Sequence, residues 1–125
     1  MARIEKIRRM RTNGIITLNR TPSFMSLFQI GEISLFPTGE VREVLVGDEP
    51  YAICNVEGVL HAVHGICPHN GGPLGHGALH GNMLVCPWHA WEFDCFTGHH
   101  DYNPAVTIQT FAVIVDGNAV SLDLS

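Results

Sequence analysis

From about residue 27 onward, apolar and polar residues alternate with a period of two, and no stretch repeats every three or four. Period two sends successive side chains to opposite faces of a strand, so the pattern predicts short strands and no helices. Val120, Leu122 and Leu124 share one face, as do Phe111, Val113 and Val115 in the preceding run. Asp116-Gly117-Asn118 between the two runs supplies hairpin-turn residues. Upstream, Glu40 to Val46, Tyr51 to Val56 and Val59 to Val63 read as three strands of a meander. They are joined through Gly47-Asp48-Glu49-Pro50 and through Glu57-Gly58. The expected class is all-β and antiparallel. An insertion of about 35 residues, from near Ile66 to Ala105 and rich in Gly, Pro and His, breaks the alternation.

Two short motifs inside that insertion carry the chemistry: Cys67-Pro68-His69 and, sixteen residues later, Cys86-Pro87-Trp88-His89. Each offers one thiolate and one imidazole. Two irons bridged by two sulfides need two protein ligands each, so such loops can give one iron both sulfurs and the other both nitrogens. Two other readings stay open on the residues alone. Zinc binds Cys₂His₂ sets, but its usual signatures are Cys-Cys and His-His pairs, whereas each pair here is mixed. A disulfide between Cys67 and Cys86 is the other, although nothing in the sequence points to an oxidising compartment. Cys54, in the apolar run Tyr51-Ala52-Ile53-Cys54-Asn55-Val56, and Cys95 read as small buried fillers. The remaining histidines, His61, His64, His76, His80, His99 and His100, have no spacing that demands a metal. They read as loop or strand-edge residues, with His99-His100 on a turn surface.

From about Leu27 to Ser125 the chain resembles the Rieske iron-sulfur family, and its low-potential ferredoxins in particular. Cys67-Pro68-His69-Asn70-Gly71-Gly72-Pro73-Leu74 is similar to the family's first cluster loop. Cys86-Pro87-Trp88-His89-Ala90-Trp91-Glu92-Phe93-Asp94 is similar to the second, and Thr97-Gly98 fits the turn that follows. The resemblance implies a Rieske-type antiparallel β-sandwich with an inserted small cluster-binding subdomain at about residues 66–105. It implies one [2Fe-2S] cluster held by Cys67, His69, Cys86 and His89. It further implies a one-electron carrier passing electrons from a flavin-containing reductase to a terminal oxygenase. A second class is a small Rieske-type subunit of a larger reductase such as NAD(P)H nitrite reductase, a subunit that often resembles a Rieske fold lacking a cluster. The intact ligand set argues against it. No nucleophile with a base, phosphate loop or nucleotide fingerprint is present, so the chain is expected to have no catalytic site of its own.

Two positions depart from the family pattern: Ala90 stands where glycine is usual, and Cys95 where an aliphatic residue is usual. If the backbone at Ala90 needs a positive φ, its Cβ adds strain. High-potential members of the family resemble a pattern with two further cysteines in a disulfide and two hydroxyls bonded to cluster sulfurs. Here Gly72 and Trp88 stand at those cysteine positions, and Trp91 and Phe93 at the hydroxyl positions. Two ferric ions, two sulfides and two thiolates sum to zero charge, whereas four thiolates leave such a site doubly negative before it accepts an electron. Imidazole ligation therefore raises the potential, and the family spans roughly −150 to +300 mV. Without the hydroxyl donors this chain is expected near the low end, with a potential that falls as pH rises through the imidazole titration.

Charge is uneven along the 125 residues. Residues 1–26 hold six of the seven basic residues against Glu5, a net +5, while the rest has Arg42 against eleven acidic residues, a net −10. Such an acidic body repels nucleic acid and speeds encounter with a basic partner. Arg8-Arg9 suggests an export signal, but the apolar stretch that should follow is missing. No run approaches transmembrane length. The chain is therefore expected to be cytoplasmic, with residues 1–26 a flexible basic extension and residues 27–125 one domain.

Overall fold

The computed structural model describes residues 3–4, 8–9 and 26–125. Among the described residues are eleven strands: β1 (Arg3–Ile4), β2 (Arg8–Arg9), β3 (Leu27–Glu32), β4 (Val41–Val46), β5 (Glu49–Val56), β6 (Val59–His64), β7 (Ala78–His80), β8 (Met83–Val85), β9 (Glu92–Asp94), β10 (Thr110–Asp116) and β11 (Ala119–Asp123). Among the described residues there is no α-helix, only single 3-10 turns at Ile33–Leu35 and Leu74–His76. The expected all-β, antiparallel class is what the chain adopts. β1 and β2 occupy the two ends of the large sheet, whose order is β1-β4-β5-β6-β10-β11-β3-β2. Apart from these four residues and Ser26, the basic extension expected at the N-terminus lies outside the described residues.

β4, β5 and β6 form the expected meander, with Val44 opposite Tyr51 and Ala52 opposite Val63. The first turn is tighter than expected: β5 begins at Glu49, leaving Gly47-Asp48 to reverse the chain, with Gly47 at φ +63°. β10 and β11 form the expected hairpin, closing at Asp116 and Ala119. β10 also turns the corner of the sandwich. Thr110 and Phe111 pair with β6, and Ala112 to Asp116 pair with β11. Val115, on the same face as Phe111 and Val113, is about half exposed in this outer part of the hairpin.

Period two explains why β5 is apolar along its whole middle. Tyr51 and Ile53 enter one core, with Val44, Leu60 and Ala62, facing Ile30, Val120 and Leu122 from the other half of the sheet. Ala52 and Cys54 point the opposite way into a second core with Val41 and Val63. That second core is completed by Leu74, Leu84, Phe93, Cys95 and Ile108 from the segment between β6 and β10. A strand buried on both faces reads as a continuous apolar run. The small sheet β7-β8-β9 thus packs across the outer face of the meander. Burying a side chain the size of Phe93 or Leu84 contributes about 2 kcal/mol each. Cys67 and Cys86 belong to this same core.

Candidate metal centre

The two motif loops are built alike although their spacings differ. In the first, the Cys67 N–H donates to the Gly72 carbonyl at 2.9 Å and the Gly71 N–H donates to the Cys67 carbonyl at 2.8 Å. In the second, the Cys86 N–H donates to the Trp91 carbonyl at 2.8 Å and the Ala90 N–H donates to the Cys86 carbonyl at 3.0 Å. Each loop is therefore a closed turn whose fourth residue after the cysteine must bend back. Gly71 does so at φ +77° and Ala90 at φ +60°. The strain anticipated at Ala90 is present: a Cβ in the left-handed region costs about 1–2 kcal/mol. Ala90→Gly should raise stability by about 0.5–1 kcal/mol after glycine's extra unfolded-state entropy is subtracted, measured by thermal unfolding. An unchanged or lowered midpoint would contradict the strain.

The loops are pinned to the meander and to the small sheet. The Gly65 N–H donates to the Pro50 carbonyl at 3.0 Å, and the Leu74 N–H donates to the Gly65 carbonyl at 2.9 Å, so the first loop grows directly from the end of β6. Gly75 lies flat on β4, where a Cβ would meet Glu43 at 2.6 Å, and the next residue, His76, reaches the Glu43 carboxylate at 3.2 Å. The second loop is held between β8 and β9. Beyond β9, the Asp94 carboxylate accepts the N–H groups of Phe96 at 2.7 Å and Thr97 at 3.2 Å, forming the turn that ends in Thr97-Gly98.

This framework separates the four candidate donor residues by chemistry. Cys67 and Cys86 are 1% and 3% exposed, and their thiols are in hydrogen-bonding contact. Burial pushes the Cys67 thiol above its ordinary pKa. The backbone N–H groups of His69 and Asn70, aimed at its sulfur, pull it down, while Cys86 pushes it up. His69 and His89 are exposed, with ring centroids 5.1 Å apart in an edge-to-face pair. Space at the sulfurs is tight. A Cβ on Gly72 would stand 2.7 Å from the Cys86 Sγ and 3.2 Å from the Trp88 ring. The two positions that are extra cysteines in high-potential relatives are therefore filled by a glycine lying under an indole.

Trp91 is the side chain that motif spacing alone does not single out. Its ring stacks on His69, with centroids 3.9 Å apart and planes 8° from parallel. Phe93 and His100 back it at 6.4 and 4.5 Å. His100 is not the turn-surface residue expected from the sequence. Its side chain is 6% exposed, and its Nδ1 accepts the N–H groups of Tyr102 at 3.3 Å and Asn103 at 3.1 Å, which places the ring proton on Nε2. Trp91, Phe93 and Tyr102 pack around its ring, with centroids 4.5, 5.5 and 5.6 Å away, and its backbone bridges to Phe93. Of the other histidines, His64 meets Glu49 at 3.0 Å, and His61 packs at a tilt against Phe96, centroids 4.2 Å apart, with burial lowering its pKa against an opposing pull from Asp94. Cys54 and Cys95 face each other in the core, as buried thiols. Contact with Cys95, together with burial, holds the Cys54 thiol well above its ordinary pKa.

Among the described residues, no group of three or more His, Cys, Asp or Glu converges to hold a single metal ion. Tetrahedral zinc needs four donors around one point, which this arrangement does not offer. A two-iron cluster asks for only two protein donors per iron. Buried sulfurs on one side and exposed imidazoles on the other fit that demand. Residues 26–112 match the model of the Rieske [2Fe-2S] domain. The chain belongs to this family. Its cofactor is one [2Fe-2S] cluster. Gly72→Ala, which drives a methyl group onto a cysteine sulfur of this Rieske domain, should lower iron bound per chain severalfold in a colorimetric assay. Full loading would show that the loop can open.

Known proteins resemble this Rieske domain to different degrees. It is 34% identical over 90 residues to the ferredoxin component of the naphthalene 1,2-dioxygenase system of Pseudomonas aeruginosa, covering 71% of this chain and 86% of that protein. It superposes with a TM-score of 0.71 on one chain of the solved complex of reduced oxygenase and oxidized ferredoxin in carbazole 1,9a-dioxygenase. There the identity is 28% over 78% of this chain and 93% of that one. A nitrite reductase small subunit from Mycobacterium tuberculosis shares the fold, with a TM-score of 0.72 at 19% identity over 79% of this chain and 95% of that one. No helix among the described residues is long and apolar enough to cross a membrane.

Proposed function

We propose that this Rieske domain is a one-electron carrier, the ferredoxin of an oxygenase system, in which Cys67 and Cys86 bind one iron and His69 and His89 the other. The observation that carries the reading is the division of the donors, thiols inside and imidazoles at the surface. The cluster, when bound, supplies reversible uptake of a single electron. The protein's part is positional. Burial keeps water from the sulfurs, and backbone N–H groups of His69 and Asn70 offset the thiolate charge at Cys67. Trp91 fixes the plane of His69 by stacking, which leaves the imidazole edge for a partner to approach.

The partners proposed are a flavin-containing reductase that donates the electron and a terminal oxygenase that accepts it. The ferredoxin relative of the naphthalene system and the carbazole oxygenase–ferredoxin complex support this pairing. A cytoplasmic setting is part of the proposal, because free thiols and an iron-sulfur cluster suit a reducing compartment. The competing role, a fixed small subunit of a nitrite reductase, is disfavoured by the complete donor set. Purification from the native cell under mild conditions distinguishes the two. A ferredoxin elutes as a small free species, whereas elution only in a stable complex with a large reductase would overturn the carrier reading.

A further inference from the structure

Beside the imidazole pair, the aromatic stack opens on its solvent side into a cavity of about 430 Å³. Trp91, Glu92, Asp101 and Tyr102 line it, together with His89, Ala90 and His100. Tyr102 projects from the surface, 80% exposed, while Trp91 is held by the parallel stack with His69 and a tilted contact with His100. The Asp101 N–H donates to the Glu92 carbonyl at 3.1 Å, which sets the two acidic residues side by side. Neither carboxylate has a cation to answer it among the described residues. Asp101 lies 3.7 Å from the His100 Nδ1, but that atom already accepts two backbone N–H groups and presents no proton. From Leu27 onward the one basic residue is Arg42, and it is paired with Glu40.

We propose that this cavity is a socket for the guanidinium of an arginine on the electron-transfer partner. Two carboxylates alone would accept any cation. Aromatic walls beside them select a planar one, because a guanidinium can fork to carboxylate oxygens while its face lies on an indole or phenol ring. An ammonium is a point charge and cannot satisfy both. The body's net charge of −10 draws a basic surface in from a distance, and the socket sets its register. An arginine seated there touches His89 and the ring that stacks on His69, so docking brings the partner to the imidazole edge. The identity of the partner rests on the electron-carrier reading; the socket's preference for guanidinium does not.

The test uses cluster-loaded protein and fluorescein-labelled hexa-arginine, with binding followed by anisotropy at low ionic strength. Glu92→Gln/Asp101→Asn is compared with Glu57→Gln/Asp116→Asn, which removes the same charge from exposed turns at the far end of the strands. The socket pair should weaken binding about fivefold, while the distant pair stays within about twofold of the unaltered protein. Tyr102→Ala should weaken hexa-arginine more than hexa-lysine. Equal losses in both pairs would reduce the attraction to net charge and overturn the socket, as would no loss in either or equal affinity for the two peptides. Iron content is read on the same samples. An unaltered protein that carries no cluster would sink the carrier reading while leaving the socket result standing.

Discussion

Replacing His89 with cysteine is expected to lower the reduction midpoint by roughly 200 mV, under the ligand assignment proposed above. The reason is charge. A third thiolate adds a negative charge to a site that was neutral when oxidised, so the incoming electron meets more repulsion. Sites with two imidazoles lie at roughly −150 mV and above, and all-cysteine plant-type clusters near about −400 mV, which brackets the shift. His89 is a clean position for the change because it is exposed and packs edge-on against His69, not in the core. His99→Cys, also at an exposed residue, is the control and should leave the midpoint in place. A His89→Cys protein with an unchanged midpoint would show that His89 is not a ligand.

Gly98→Ala is expected to cost about 3 kcal/mol and lower the melting temperature by about 10 °C. Gly98 has φ +78°, and a Cβ there would stand 2.1 Å from the Ile108 carbonyl oxygen. Both obstacles are backbone, so no side-chain rotation relieves them. The Gly98 N–H also donates to the Asp94 carbonyl at 2.7 Å, and its own carbonyl accepts the Ile108 N–H at 2.8 Å. The segment therefore cannot shift without breaking the turn that follows the second loop. Gly39→Ala supplies the comparison, since Gly39 has φ +82° with nothing within 4 Å of its added Cβ. It should cost only the left-handed penalty of about 1–2 kcal/mol. Equal melting temperatures for the two variants would mean that the close approach at Ile108 carries no weight.

The β10–β11 hairpin was legible because alternation and turn residues agree locally, with Asp116 and Ala119 pairing around Gly117-Asn118. The meander was legible for the same reason. β3 was not, because its register skips Ile30, with Val120 opposite Gly31 and Ser121 opposite Gln29, which blurs the period. β7, β8 and β9 are three residues each, too short for any period to show, and they are held by Leu84 and Phe93 entering a core supplied by other strands. The candidate donor residues stood out because thiol and imidazole chemistry is written in their identity and spacing. Ala90 stood out because the family pattern has glycine there, and the turn does take a positive φ. The indole on His69, the glycine beneath Trp88 and the burial of His100 depend on residues that only the folded chain brings together.

The most direct measurement is a reductive titration of anaerobically purified protein at neutral pH, followed by EPR. A Rieske-type signal that appears only as the potential is driven toward roughly −150 mV is the expected result, because no hydroxyl stands at either donor position near the sulfurs. An EPR-silent protein with tightly bound zinc would contradict the cluster altogether, and a midpoint of several hundred positive millivolts would contradict the oxygenase-ferredoxin role.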